Sequence, residues 1–371
     1  MTLVSFYGTG DSPRPEQLQF SDPSKVSGCP FREFNPRSLR STLGFLSPTP
    51  RYLIDTHSLE MEELIRREVR QASFDLVIAS QLSMASYHRA FRGIPAMLEE
   101  AELATYLPAR DGRGVSWTSM RRRLTWMKHR QYVARLLRKF RVCTVASEGE
   151  RRLVAAAVPD YRSVHVVPNF IDLDEYPSTA DARSSDSLVF TGSLQYSPNR
   201  DAILWFLQAV YPLIKAQVPR VRLTVTGEPG TLPRPSGPDV EFTGRIADVR
   251  PVLAASAVSI VPIRQGGGTR LKILEAMALR TPVVTTSKGV EGLEARDGVH
   301  LSVADAPQDF ALAVVTVLRR RQYARGLADN AFSLLQTHYE SRAVVPRFLR
   351  LVELAAAAGA DPARETALTA A

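Results

Sequence analysis

The sequence predicts an α/β protein of two domains, each built on a parallel sheet covered by helices. The chain has 371 residues, which is enough for two domains with separate cores. From residue 187 onward, short apolar strands alternate with helical patterns over short loops, as in an open parallel sheet. Three of these strands end in glycine, at Gly192, Gly227 and Gly244. Ligands bind at the carboxyl ends of such strands, so we expect a binding site there.

The domain organisation follows from changes in pattern along the chain. The stretch 164–178 is a strand that runs into a connection rich in Pro and Asp, which is typical of a domain boundary. The predicted parts are an N-terminal domain over 1–168, a hinge over 169–186, a C-terminal domain over 187–337, a helix over 338–356 that returns to the N-terminal domain, and a disordered tail over 357–371.

The first domain has the less regular pattern. Residues 13–50 are rich in Pro and Ser and predict loops with short elements. Ser58 is a candidate N-cap for a helix over 58–71, with Glu62 and Glu63 in its first turns. The predicted elements that follow are strands at 74–80 and 94–100, then a strand, the cap Ser147 and a helix within 142–157.

The second domain alternates regularly between the two periodicities. Apolar runs predict strands, and a 3.6-residue repeat predicts helices. The predicted strands lie at 187–192, 221–227, 240–245, 258–263 and 282–286, and the predicted helices at 198–218, 248–256, 269–279 and 306–320.

The net charge of +9 is concentrated in residues 110–141, where eleven Lys and Arg accompany one Asp. The simplest interpretation is an amphipathic helix that docks by its apolar face and has a solvated basic back. Contact with an anionic membrane surface is a second interpretation. Nucleic-acid binding is not favoured, because no recognition motif accompanies the charge. The apolar residues at helical spacing are Leu124, Met127, Val133, Leu136, Leu137 and Phe140.

Other features of the composition point to the cytoplasm. The two cysteines, Cys29 and Cys143, give no disulfide framework and no metal cluster. No stretch approaches the roughly 18 apolar residues of a spanning helix. The first residues lack the order of a signal peptide. His88 and His165 are expected to be ordinary, partly buried side chains.

Residues 263–286, IRQGGGTRLKILEAMALRTPVVTT, combine the features of an anion site. The glycines Gly266, Gly267 and Gly268 leave the main chain open to a phosphate. Thr269 is a candidate N-cap, so the amides of Thr269, Arg270 and Leu271 are expected to face outward and bind an anion.

The side chains of this helix separate into two arcs. On a helical wheel, Lys272 and Glu275 lie opposite the apolar arc. Arg270 and Lys272 would add positive charge beside a phosphate, and Glu275 would accept from the hydroxyls of a ribose. The alternative is an ordinary helix start with a Lys272–Glu275 ion pair, worth a few tenths of a kcal/mol. The apolar arc holds Leu271, Ile273, Leu274, Met277 and Ala278.

Four segments together resemble retaining glycosyltransferase family 4. They are LVFTGSLQYSPNRDAILWFLQAVYPLIKAQVP, VEFTGRIADVRPVLAASAVSIVPI, GGGTRLKILEAMALRTPVVTTSKGVEGL and the hinge VVPNFIDLDEY. The resemblance covers 140–345 strongly and 1–140 weakly. It implies the GT-B fold, in which two Rossmann-like domains face each other across a cleft. It also implies that a nucleotide-diphosphate sugar binds mainly to the C-terminal domain.

By position, the resemblance assigns Glu275 to the glutamate that holds the donor ribose. The family's other glutamate falls at Gly267, as in the branch that carries GGGTRLK. The family's diphosphate-binding Arg and Lys are not matched: Gly192 and Ser193, with Asn199 and Arg200 nearby, stand there instead, and Arg270 or Lys272 is expected to take part of that duty. Gly244 and Arg245 fall where the family's loop lies against the nucleobase.

The resemblance also implies the chemistry. The donor's diphosphate leaves, and helix-terminus amides with Arg270 and Lys272 stabilise its developing charge. Neither a metal nor a further cofactor is expected. On the acceptor side, the family's histidine is not obvious. Glu99, Glu100 and Glu102 occupy the expected place; a simple surface cluster of acids is the alternative.

The N-terminal domain is expected to lack its first strand. MTLVSFYG resembles the family's second strand, and the Pro-rich segment after it does not fit the helix that follows a glycine loop. In a sheet ordered 3-2-1-4-5 the first strand is central, so its loss exposes the edges of both neighbours. A loop formed by Gly8 and Gly10 is the alternative.

The sequence therefore predicts a retaining hexosyltransferase. It is expected to move a sugar from a nucleotide-diphosphate sugar to a glycan or lipid-linked acceptor in cell-envelope or exopolysaccharide biosynthesis. The alternatives are a degenerate nucleotide-sugar-binding protein and a nucleotide-sugar epimerase of the same architecture. The expected location is cytoplasmic and peripheral at the inner face of the membrane, with contact through 110–141.

Overall fold

Parallel strands and covering helices make up both halves of the chain, so the α/β fold class predicted from the sequence is confirmed. The computed structural model describes residues 1–8, 25–103, 117–176, 184–228, 239–266 and 271–357. The chain divides into two compact units. Unit 1 holds Met1–Val145, Gly149–Val166 and Leu349–Ala371, and unit 2 holds Ala146–Glu148 and Val167–Phe348.

The strands and helices of the described residues follow in chain order. The strands are β1 (Thr2–Tyr7), β2 (Lys25–Pro30), β3 (Val77–Ser80), β4 (Ala96–Glu99), β5 (Val142–Val145), β6 (Val164–Val166), β7 (Ser187–Phe190), β8 (Arg222–Thr226), β9 (Val240–Gly244), β10 (Val258–Val261), β11 (Val283–Thr285) and β12 (Ser302–Val303). The helices are α1 (Leu39–Leu43), α2 (Arg51–Asp55), α3 (Leu59–Gln71), α4 (Gln81–Ala85), α5 (Trp117–Leu137), α6 (Glu148–Ala157), α7 (Ser197–Trp205), α8 (Tyr211–Gln217), α9 (Arg250–Ala255), α10 (Leu271–Ala278), α11 (Pro307–Arg319), α12 (Arg321–His338) and α13 (Ser341–Ala356).

The described strands of unit 2 form one parallel sheet in the order β12-β11-β10-β7-β8-β9. β7 and β10 lie in its middle and are almost wholly buried, which is why their sequences, SLVF and VSIV, are nearly continuous apolar runs. The core beneath them includes Phe190, Phe206 and Phe310, which are fully buried. The rings of Phe206 and Phe310 pack edge to face with their centroids 5.9 Å apart.

The helix predicted over 198–218 is present but interrupted. A π-helical turn at Phe206–Val210 separates α7 from α8. Pro212 lies in the first turn of α8, where its missing N–H removes a hydrogen bond to the preceding turn. α12 fills the stretch between α11 and α13 and was not predicted from the sequence.

In unit 1 the described strands form two separate sheets. β1 pairs with β2, and β3-β4-β5-β6 form a second sheet, parallel throughout. A cavity of about 480 Å³ is lined by Thr2, Leu3, Val4, Ser5 and Phe6 of β1 and by all of β3. The alternative loop at Gly8 and Gly10 lies partly outside the described residues.

The basic helix predicted within 110–141 is α5, but only its second half docks as expected. Val133, Leu136 and Leu137 are buried in the core of unit 1, and so is Phe140 beyond the helix end. Leu124 and Met127 were predicted on the same buried face and are instead 59% and 54% exposed. Near the middle of α5, Trp126 is partly buried and His129 is buried, and burial lowers the pKa of His129 to about 4.

Both cysteines lie in unit 1 and are buried. Burial raises the pKa of Cys29, and raises that of Cys143 to about 12, so both are held as neutral thiols. His88 and His165 are half-buried, and burial lowers the pKa of each. Among the described helices, none combines the length and the apolar character that a membrane span requires.

Candidate functional site

The strand-end glycines predicted to open a site in unit 2 come together. Gly192, Gly227 and Gly244 follow or end the neighbouring strands β7, β8 and β9, and all have positive φ, at +135°, +110° and +72°. The amide of Gly227 donates to the carbonyl of Gly244 over 2.8 Å. A Cβ on Gly227 would overlap the carbonyl oxygen of Gly192. The turn at residue 227 can approach the Gly192 main chain this closely only because residue 227 is a glycine.

A lysine and an asparagine occupy the space beside Gly192. The Lys272 ammonium donates to Asn199 Oδ1 over 2.9 Å and lies 4.4 Å from the centroid of the Phe190 ring. The other half of the Asn199 amide donates to the carbonyl of Ser193 over 2.9 Å. A Cβ on Gly192 would lie 2.8 Å from Asn199 Nδ2 and 2.9 Å from Lys272 Nζ. The arrangement therefore fixes a positive charge at the carboxyl end of the central strand β7.

The glycine run before α10 begins at Gly266, which has a φ of +95°. A Cβ there would lie 2.9 Å from Pro198 Cγ and 3.3 Å from the Tyr196 hydroxyl, both at the start of α7. Four residues predicted to bind the donor lie outside the described residues: Gly267, Gly268, Thr269 and Arg270. Leu271 was assigned to the buried arc of the helix; it is 48% exposed and lies at the start of α10.

Glu275 lies one turn beyond Lys272 on α10, so both face the same end of the sheet. The Tyr176 hydroxyl donates to Glu275 Oε1 over 3.5 Å. Burial raises the pKa of Glu275, and the neighbouring Lys272, Tyr176 and Arg250 oppose that rise. Burial, with the charge of Glu275, raises the pKa of Tyr176 to about 12, so the phenol keeps its proton.

Arg250 connects this carboxylate with the loop after β9. Its guanidinium lies 5.6 Å from the centroid of the Tyr176 ring and donates to the carbonyl of Glu175. Asp248 accepts from Arg250 Nε over 2.8 Å and closes the loop that Gly244 begins. Arg245 in that loop is exposed.

Of the predicted donor-site residues that the structure describes, most belong to this one cluster. Gly192, Ser193, Asn199, Lys272 and Glu275 lie within it or one helical turn from it. Tyr176 was not predicted as a site residue, because nothing in the hinge sequence shows that its hydroxyl reaches a residue 99 positions away.

The acceptor-side candidates lie in unit 1, at the carboxyl end of β4. Glu100 has a φ of +54°, and Gln81, which follows the neighbouring strand β3, has a φ of +65°. Positive φ is uncommon outside glycine and accumulates at functional sites. Burial and then the charge of Glu102 raise the pKa of Glu100, and a hydrogen bond from Gln81 opposes that rise. Gln81 was not predicted as a site residue, since the positive φ of a glutamine cannot be deduced from its residue type.

Glu100 is also tied to the next strand. Its amide donates to Thr144 Oγ1 on β5 over 3.1 Å, and the amide of Ala101 donates to the carbonyl of Thr144 over 2.9 Å. Both Gln81 and Glu100 thus stand at neighbouring strand ends of a parallel sheet, where ligands bind in folds of this kind. The other two candidates are Glu99, the last residue of β4, and Glu102.

Comparisons with known proteins bear on unit 2 first. Residues 185–320 match the family model described as glycosyl transferases group 1. A curated protein from Klebsiella pneumoniae, described as an uncharacterized 44.6 kDa protein in a cps region, is 26% identical over 174 residues. That match covers 43% of this chain and 44% of the relative, so the chain spans less than half of the curated protein it matches. Residues 185–320 are thus similar to the glycosyl transferases group 1 domain.

Solved structures extend the likeness to both units. HepE from Anabaena, crystallised with UDP-glucose, has a TM-score of 0.63 at 15% identity and covers 95% of this chain and 99% of its own. TarM from S. aureus, crystallised with UDP and alpha-GlcNAc-glycerol, has a TM-score of 0.59 at 14% identity over 78% of this chain and 58% of its own. At such identities the likeness shows the fold, which is GT-B with two Rossmann-like domains.

Proposed function

We propose that this protein is a retaining glycosyltransferase that moves a hexose from a nucleotide-diphosphate sugar to a glycan or lipid-linked acceptor. The observation that carries the proposal is the Lys272–Asn199 pair at the Gly192 turn, one helical turn from Glu275. It brings a positive charge, an open main chain and a carboxylate to the carboxyl end of one parallel sheet. The positive charge and the open main chain suit a diphosphate, and the carboxylate suits the hydroxyls of the adjoining ribose.

The donor is assigned to unit 2. Its diphosphate contacts Lys272, the Gly192–Ser193 turn, Gly266 and the amide of Leu271 at the start of α10. Glu275 accepts from the ribose hydroxyls, and the loop at Gly244 and Arg245 lies against the base. HepE and TarM were each crystallised with a uridine diphosphate, which supports a uridine donor here.

In the proposed reaction, the bond between the anomeric carbon and the diphosphate oxygen breaks, and the acceptor oxygen bonds to that carbon on the same face. The acceptor's proton passes to the departing phosphate oxygen. The electron pair of the broken bond stays on the diphosphate, where Lys272 and Arg270 stabilise it. No metal and no further cofactor take part in this scheme.

The acceptor is assigned to unit 1, with Glu100 and Gln81 as its polar contacts and Glu99 and Glu102 beside them. A carboxyl with a raised pKa accepts and returns protons more readily near neutral pH than an ordinary one, and it binds sugar hydroxyls well. Glu100→Gln is expected to raise the acceptor KM and to leave donor affinity unchanged. Glu63→Gln, in the exposed part of α3, is the matched control.

The test of the donor site combines binding with turnover. A thermal-shift panel of UDP-, GDP- and ADP-sugars first identifies the base. With the best donor, Glu275→Ala is expected to weaken binding about tenfold, because a hydrogen bond to a charged group is lost. Lys272→Met is expected to lower kcat about 100-fold. Lys139→Met in unit 1 is the charge-matched control. Unchanged donor affinity in Glu275→Ala would contradict the proposal.

Product analysis separates the remaining possibilities. Retention is read from the anomeric configuration of the product by NMR. Donor binding without transfer or hydrolysis would instead identify a degenerate nucleotide-sugar-binding protein. The glycine at position 267, where the family has a glutamate, is the reason to consider this hypothesis. Conversion of the donor without an acceptor would identify an epimerase. The relative from a cps region supports a role in polysaccharide assembly at the cell envelope.

A further inference from the structure

Unit 1 carries an exposed apolar surface that no pattern in the sequence indicated. It consists of α1 with the turn after it and one stripe of α5, and we call it the apolar tip. Its members, all 41–90% exposed, are Leu39, Leu43, Phe45, Leu46, Met120, Leu124 and Met127. Scattered exposed leucines are normal, but a group of this size on one side of a unit is not.

The first part of the apolar tip, α1 with the turn after it, exposes its apolar face and buries its polar one. Leu39, Leu43 and Leu46 recur at intervals of four and three, so they share one face, and that face points to solvent. The opposite face is the buried one, with Ser41 fully buried and Gly44 beneath the turn. A helix that buries its small polar side and exposes its leucines presents an apolar face that a bilayer or another protein can cover.

The second part adjoins the first. Lys128 of α5 donates to the carbonyl of Gly44 over 2.7 Å and contacts that of Phe45. Leu124 lies one turn before Lys128 on the same face of α5, and Met120 lies one turn before Leu124. The exposed stripe of α5 therefore runs up to the turn at Phe45.

Cations surround this apolar surface. The Arg51 guanidinium lies 3.8 Å from the centroid of the Phe45 ring, and Arg37, Arg40, Arg123 and Arg130 are exposed on the same two segments. Neither 34–54 nor 117–141 contains an Asp or Glu. The acids next to these ranges are Glu33, which is exposed, and Asp55, which is buried and accepts from Ser38 at the start of α1. An apolar centre with mainly basic neighbours is complementary to an anionic bilayer, whose acyl chains lie beneath a negative surface.

We propose that the apolar tip inserts into an anionic lipid bilayer, with Leu39, Leu43, Phe45 and Leu46 below the headgroups and the arginines among the phosphates. The bilayer contact thus centres on α1 and its turn, beyond the basic helix predicted from the sequence. This inference does not depend on the proposed sugar transfer, since a bilayer can bind the protein whatever its reaction.

Vesicle co-sedimentation tests the insertion with the full chain. The probes are vesicles of phosphatidylcholine alone and vesicles with one third phosphatidylglycerol. The wild type is expected to bind the anionic vesicles at least tenfold more tightly, with a component that survives 0.5 M salt. Phe45→Ser/Leu46→Ser should remove the salt-resistant component. Arg123→Gln/Arg130→Gln should weaken binding at low salt only. Leu312→Gln, an equally exposed leucine of unit 2, is the matched control.

A second measurement reports depth and does not depend on loss of binding. In Leu46→Trp, the indole emission is expected to shift to shorter wavelength on anionic vesicles and to be quenched by brominated acyl chains. No shift and no quenching would overturn the proposal, as would apolar variants that bind like the wild type. A concentration-dependent dimer in sedimentation analysis, abolished by Phe45→Ser/Leu46→Ser without any vesicle binding, would identify a second copy of the chain as the partner instead.

Discussion

Asn199 touches Lys272 and Ser193 with the two ends of one amide, so it can hold the ammonium without contacting the ligand itself. If Lys272 binds the second phosphate of the donor, Asn199→Ala is expected to weaken UDP binding about tenfold and UMP binding, which lacks that phosphate, less than twofold. In a double-mutant cycle, the loss of UDP affinity in Asn199→Ala/Lys272→Met should be smaller than the sum of the losses in the two single variants. Calorimetry of the four proteins with both nucleotides measures this, and Asn330→Ala, at an exposed position of α12, is the control. Equal losses for UDP and UMP would show a merely structural role.

The carboxyl of Glu275 gives donor binding a distinct pH dependence. Burial raises its pKa, and only the ionised form accepts from both ribose hydroxyls. Affinity should therefore be complete above that raised pKa and fall as the pH drops through it, at a higher pH than an ordinary carboxyl would give. A nucleotide sugar is the ligand to titrate, since its diphosphate has no group that titrates near pH 6. The step should be absent in Glu275→Gln; its persistence there would assign it to another group.

For single residues, the sequence predicted which residue types form the candidate site better than it predicted how their side chains and backbone are oriented. The helical wheel put Lys272 and Glu275 on one side of α10, and the structure has Lys272 bound to Asn199 and Glu275 bound to Tyr176 one turn further on. Leu271 shares the apolar arc of the wheel but is 48% exposed, because fewer neighbours cover a side chain at the start of a helix. Tyr176 and Gln81 could not be found this way, since a long-range contact and a positive φ depend on the finished fold.

The glycine turns at the ends of β7, β8 and β9 make a prediction about elements. Gly227→Ala is expected to destabilise unit 2 by several kcal/mol and to weaken donor binding, because its Cβ would overlap the Gly192 main chain. Gly244→Ala has a positive φ too, but no atom lies within 4 Å of its Cβ, so about 1 kcal/mol is expected. The free energies of unfolding of Gly227→Ala and Gly244→Ala, measured by urea denaturation, compare the cost of steric overlap with that of backbone strain alone. Equal costs would mean that the close approach of the two turns does not matter.

Among the elements, regular alternation made unit 2 predictable. Its central strands, β7 and β10, are buried on both faces, so each is nearly a continuous apolar run in the sequence. Unit 1 was harder, because β2 and α1 follow a Pro-rich segment whose composition predicts loops. α5 shows the limit of periodicity: Leu124 and Leu136 belong to one predicted stripe, yet only Leu136 finds a core to pack against.

For the whole molecule, two separate hydrophobic cores predict two unfolding transitions. A nucleotide that binds unit 2 should raise only the transition of that unit, by about 2.7 kcal/mol at a hundred times its Kd. Unit 1, whose described strands form two sheets, is expected to unfold first. Differential scanning calorimetry with and without nucleotide tests this. A single transition that shifts as a whole would show that the units unfold together.

The placement of the two buried thiols has a practical consequence. The chain's cysteines, Cys29 and Cys143, both belong to unit 1, and neither ionises readily in the native state. A thiol-reactive dye should therefore label the protein only as fast as unit 1 opens, with no modification of the sequence needed. If the units open independently, saturating nucleotide should leave that labelling rate unchanged. The labelling rate of the native chain would then measure how fast unit 1 alone opens.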